Sequence, residues 1–214
     1  MEMTTRNYTT IFETRNEDGM KGFITGKPIV FNSRTNIGNM FNEIILPDAL
    51  RKTDLTDICL MTNHDLNQFP LARYKEGNPN NTLKYSIGED GMTIETILDI
   101  EHNPRAAELY SVLTRGDVTG MSFMFGIDED SWEGLDTDMP TRYIKSISKI
   151  VECSVVTHPA YASTSVNARS EDIEEAQKLL NEAKKVLIQD ENIAKRNKEE
   201  LELLRMRNKN NFLF

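Results

Sequence analysis

The chain has 214 residues, and its 34 acidic against 25 basic side chains give a formal net charge of −9. That balance excludes a surface built to grip nucleic acid or an anionic membrane, since both gather clustered cations. The length and a hydrophobic content of 38% suit one domain with a real core plus polar segments. The two cysteines, Cys59 and Cys153, each sit in an apolar run and read as small buried hydrophobes rather than a disulfide framework.

Residues 1–18 lack the basic-then-apolar order of a signal peptide and are read as an N-terminal segment. No stretch of about 18 uninterrupted apolar residues occurs, so the expectation is a soluble, intracellular protein. From residue 19 to 169 the texture is strand-like, with short apolar or alternating runs punctuated by Gly, Pro and Asn. The predicted strands are 22–26, 28–31, 42–46, 57–61, 92–98, 120–125, 143–147 and 150–156. Pro104 opens a predicted helix over 104–113, with Ala106, Leu109, Tyr110 and Leu113 on one face and a stop near Gly116. A short helical piece is expected over 47–52, and Gly77-Asn78-Pro79-Asn80-Asn81 is turn chemistry. The acidic run 128–133 reads as a solvated turn without calcium-loop spacing.

After Arg169 no Gly or Pro follows, and Ser170 can cap a long helix whose first turn is acidic. Ile173, Ala176, Leu180, Ala183, Leu187, Ala194, Leu201 and Leu204 form a stripe interrupted by Asp190 and Asn197, so 170–214 is read as a coiled-coil-like tail. The fold class expected is mainly β with α, an α+β barrel or sandwich.

Three histidines occur: His64, His102 and His158. His64 follows an apolar strand within Asn63-His64-Asp65, a common position for a site at a strand end. Ser122 lies in Arg115-Gly116-Asp117-Val118-Thr119-Gly120-Met121-Ser122-Phe123, where glycines surround a turn that lets backbone approach a substrate. The residues alone leave Ser122 open between a nucleophile and a strand serine bonded to a neighbouring carbonyl. Glu152 is a carboxylate inside an apolar strand, where an unpartnered charge is costly, so an imidazolium or arginine is expected beside it. No Cys-X-X-Cys, His-Glu-X-X-His, P-loop or Gly-X-Ser-X-Gly string is present, so neither metal nor cofactor is expected.

In combination these segments resemble the caudovirus prohead protease family. The resemblance runs through Gly22-Phe23, Val30-Phe31-Asn32-Ser33, Glu43 to Leu50, Asn63-His64-Asp65, Pro70 to Arg73, Arg115 to Phe123, Trp132, Glu152 to Tyr161, and Arg169. Ala72 and Leu50 depart from it, standing where the family often has glycine and an aromatic residue. The resemblance implies an antiparallel barrel like that of herpesvirus assemblin, with surrounding helices. It also implies a serine endopeptidase with His64 and Ser122 as the catalytic pair. Glu152 is the favoured third member and His158 the alternative, since assemblin-type enzymes use a second histidine. Arg115, Gly116 and Gly120 are candidate oxyanion or substrate contacts.

The implied substrates are the scaffolding part of the major capsid protein and the protease itself. Cleavage would take place inside the assembling prohead in the bacterial host cytoplasm, and a second copy of the chain, in a homo-oligomer, is a further candidate partner. The alternative is an inactive structural or scaffolding prohead protein that uses the same fold for assembly.

Overall fold

A computed structural model describes residues 3–10, 12–17, 20–157 and 170–211. Among them the runs of β-branched and aromatic residues form two sheets that enclose one main core. The first sheet is built on a long hairpin of β10 (Gly120–Glu133) and β11 (Thr141–Val156). On the free edge of β10 lies β1 (Met3–Thr9), antiparallel to it. On the other side, β11 pairs in parallel with β5 (Phe41–Ile45) near its start and with β6 (Asp57–Thr62) near its end. β4 (Thr35–Ile37) extends β5, and β7 (Ala72–Lys75) extends β6. The second sheet is antiparallel, in the order β2 (Glu13–Glu17), β3 (Lys21–Val30), β9 (Gly91–Asp99), β8 (Leu83–Gly88).

This is a mainly-sheet α/β architecture, but not the single closed antiparallel barrel expected from the sequence. The described strands divide between two separate sheets, and the larger one is mixed. The cause lies in β11, whose 16 residues are long enough to accept two successive parallel partners along one edge. Between those partners, Pro47–Leu50 makes one 3-10 turn, and Asp54 bridges to Lys149, so the chain from β5 to β6 tracks beside β11 throughout. Four register shifts in the β10–β11 hairpin bend it over the core.

The core joins Ile24, Ile29, Met92, Ile94 and Leu98 of the smaller sheet to Met121, Phe123, Phe125, Ile144, Ile147, Ile150 and Cys153 of the larger one. Helix α1 (Pro104–Arg115) closes one side with Ala106, Leu109 and Leu113. Asn103 caps it by accepting from the N–H groups of Arg105 and Ala106, and Gly116, at φ 75°, ends it in the left-handed region that glycine adopts without strain. Gly22 lets β3 approach that helix: a Cβ there would sit 2.6 Å from the Tyr110 ring.

Besides Thr35–Ile37, Ala72–Lys75 and Leu83–Gly88, strands the sequence reading did not name, three differences concern the elements. Met3–Thr9 and Glu13–Glu17 are strands, one in each sheet. The acidic run 128–133 is the outer half of β10 rather than a turn. Two pairs of predicted strands, 22–26 with 28–31 and 143–147 with 150–156, are each one continuous strand. The tail is helix α2 (Ser170–Asn211), 42 residues long. Ala176 and Leu180 bury against Ile37 and Phe41, with Met40, Trp132 and Leu135 packed around them. Farther along, Val186, Ile188, Ile193, Leu201, Leu203 and Leu204 are exposed. No described helix is long and apolar enough to cross a membrane.

Candidate active site

β6 ends in two consecutive left-handed residues, Asn63 at φ 50° and His64 at φ 59°. Asparagine and histidine are among the side chains that tolerate this conformation best, and such backbone clusters at functional positions. The Asn63 carboxamide oxygen accepts from the N–H and hydroxyl of Thr157, and the Asn63 N–H donates to the Val155 carbonyl. The turn is thereby tied to the end of β11. Beyond it the His64 imidazole reaches β11.

There the ring meets Glu152. His64 Nδ1 lies 2.6 Å from Glu152 Oε1, with the histidine side chain 15% exposed and the glutamate fully buried. Against a carboxylate, Nδ1 is the nitrogen that carries hydrogen, which turns the lone pair of a neutral ring onto Nε2. Nε2 is buried and has no hydrogen-bond partner among the described residues. A buried ring nitrogen left unpartnered costs free energy, and such groups are concentrated where a substrate or a catalytic partner completes them.

Ser122 stands on β10 directly opposite Ser154 of β11, so the two side chains share a face of the sheet. Glu152, two residues before Ser154, lies on that face as well. Ser122 is fully buried, and its hydroxyl donates to the Arg6 carbonyl of β1 at 3.0 Å. The structure therefore brings His64 into contact with Glu152 and sets Ser122 on the same sheet face, while the serine's hydrogen bond goes to β1. This is the strand-serine bond that the residues alone left open. His158 lies outside the described residues.

β1 is held in place by a buried ionic network. Arg6 donates to both oxygens of Glu43, at 2.5 and 2.9 Å, Arg142 reaches Glu43 Oε2 at 3.4 Å, and Arg142 also pairs with Asp130. Of the remaining predicted contacts, Arg115 is engaged at the end of α1 with Asp117 and Ser111, and Gly116 is the helix cap. Gly120 opens β10, two residues before Ser122, paired with Val156 and Thr9. Cys153 is fully buried; burial first, then the neighbouring Glu152 charge, pushes its thiol well above the ordinary range and makes it a poor nucleophile.

One residue of this cluster is absent from the sequence reading. Ser154 Oγ donates to Glu152 Oε2 at 2.5 Å and accepts from the His64 N–H at 3.1 Å. A signal was present in the sequence, because Glu152 and Ser154 are two apart in a strand and must share a face, and both are polar in an apolar run.

Comparison with known proteins follows the same residues. The profile of the caudovirus prohead serine protease family matches residues 10–179, more than half of the chain, and the chain belongs to that family. It is similar to the prohead protease of Enterobacteria phage HK97, with 29% identity over 157 residues that cover 71% of this chain and 61% of that protein. The chain thus spans less than two thirds of its relative's length. No solved structure matches it.

Proposed function

We propose that the chain is a serine endopeptidase of the assembling phage prohead, with Ser122 as nucleophile, His64 as general base and Glu152 as the carboxylate that orients it. The observation that carries this reading is the 2.6 Å contact between His64 Nδ1 and Glu152, with a buried Nε2 that has no partner among the described residues. Glu152 holds one tautomer and stabilises the imidazolium that forms when Nε2 takes the serine proton. The Ser122 oxygen then attacks the scissile carbonyl carbon, backbone N–H groups hold the oxyanion, and His64 returns the proton to the leaving amine. Water reverses the sequence and releases the acyl group. Gly120, at the start of β10, is the candidate backbone contact nearest the nucleophile in the chain.

For this chemistry the Ser122 hydroxyl must turn from the Arg6 carbonyl to His64 Nε2, and the buried face must open to admit a peptide. The substrates we propose are the scaffolding part of the major capsid protein and the chain itself, cleaved within the prohead in the infected cell. The exposed apolar side chains of α2 support co-assembly with a helical scaffold.

Incubating the purified chain with the capsid protein of its own phage, and sequencing the new termini, tests the whole reading. Ser122→Ala should lower the cleavage rate by on the order of 10⁴ to 10⁶. Full processing by that variant would overturn the assignment. The bond from Ser122 to Arg6 favours a second reading, an idle serine in a structural prohead protein; no cleavage by the wild-type chain is its signature.

A further inference from the structure

We infer that Ser154 is a positioning residue for the proposed catalytic group, fixing Glu152 and the His64 backbone through one hydroxyl. The inference rests on the Ser122, His64 and Glu152 reading above and adds a residue to it. A serine hydroxyl has one hydrogen to donate and lone pairs to accept with. Ser154 spends its hydrogen on Glu152 Oε2 and accepts from the His64 N–H, while Glu152 Oε1 faces His64 Nδ1. The three residues close a ring: Ser154 to the carboxylate, the carboxylate to the imidazole, and the histidine backbone to Ser154.

That ring defines what each bond does. Oε2 is turned toward Ser154, so the carboxylate plane is set and Oε1 is aimed at Nδ1. The His64 amide belongs to a residue at φ 59°, and the bond to Ser154 tethers that left-handed turn to the last residues of β11. Ser154 is itself fully buried, where water cannot take over either bond. It is also the cross-strand neighbour of Ser122, so the hydroxyl that orients the base stands beside the nucleophile. Its hydrogen points to a carboxylate rather than to the imidazole, which distinguishes it from a nucleophile.

A loss of folded protein would lower the rate in proportion to the folded fraction, whereas loss of positioning lowers kcat in the folded enzyme.

The test uses the full chain and a peptide spanning a cleavage site identified from new termini. Ser154→Ala should lower kcat roughly 10- to 100-fold, the worth of a hydrogen bond to a charged group. It should leave KM within about twofold. Ser154→Thr, which keeps the hydroxyl, should recover most of the rate. In a Glu152→Gln background, Ser154→Ala should cost little more, because the group it positions has already lost its charge. Wild-type kcat, or an equal loss in both backgrounds, would overturn the inference. If the Ala variant does not fold, Ser154→Cys keeps the shape with a weaker donor; it should lower kcat at unchanged KM, and wild-type behaviour there overturns the inference equally. Cleavage that survives Ser122→Ala would instead locate the failure in the underlying reading.

Discussion

The two faces of the β10–β11 hairpin are equally dry and chemically opposite. Met121, Phe123 and Phe125 on β10, with Cys153 and Val155 on β11, meet the main core; Ser122, Glu152 and Ser154, the residues between them, are also fully buried. On the first face burial is the source of stability, at about 25 cal/mol per Å² of apolar surface removed from water. On the second, burial is an expense met by hydrogen bonds, which an unpaired carboxylate or hydroxyl would lack. The second face is the one that carries the proposed catalytic group.

Substitutions on each face can break this contrast. After loss of the nucleophile itself, the largest effect is expected from Glu152→Gln, which keeps size and a hydrogen-bonding carbonyl but removes the charge opposite His64. Turnover should fall roughly 10⁴-fold with the fold preserved by circular dichroism, and near-normal turnover would transfer the orienting role to His158. On the core face, Phe123→Ala should cost about 3–5 kcal/mol in urea unfolding. Its activity should fall only as far as the folded fraction does, whereas Ser122→Ala should cost about 1 kcal/mol of stability and nearly all activity.

The tail offers an intermediate effect. A chain ending at Arg169 exposes Ile37 and Phe41 by removing Ala176 and Leu180, and should melt several degrees lower than a chain ending at Asp190, which keeps that contact. Equal melting temperatures would show that the helix only rests on the domain. The smallest effect is expected at an exposed polar cluster. Hydrogen bonds from the Thr56 hydroxyl and N–H hold Asp54 down to about 2 from 3.8. Because the folded value is depressed, that stability is complete above 3.8 and lost as pH falls toward 2. Thr56→Val should therefore cost about 0.5 kcal/mol near neutrality, the partial exposure of Asp54 having discounted it, and progressively less as pH falls through about 2.

Much of this arrangement was legible in the chain. Pro104 and Gly116 bracket α1 because one lacks the N–H the first turn does not use and the other accepts the left-handed cap. The apolar run around Glu152 implied a charged or imidazole partner, and His64 is that neighbour. β1 was hidden because its inward residues, Thr4 and Arg6, are polar, and the carboxylate that Arg6 meets, Glu43, is 37 residues away in sequence. The outer half of β10 was hidden for a similar reason: Asp130 and Glu133 resemble a turn until Arg142 and Tyr143 across the hairpin answer them. Which strands pair, and in which direction, is set by tertiary contacts that no local periodicity records. The two-sheet division was accordingly out of reach.

The separation of the site's parts along the chain has a consequence for synthesis. The bond from Ser122 to β1 spans 116 positions, and those from His64 to Glu152 and Ser154 span 88 and 90. Contacts this distant demand loop closure before they return any stabilisation, and topologies rich in them fold slowly. A ribosome delivers His64 long before β11 leaves the exit tunnel, so the nascent chain holds an imidazole with neither carboxylate nor serine to work with. On the proposed reading the order of translation itself keeps the incomplete chain inert, and the constellation closes only after the last strand of the larger sheet has docked.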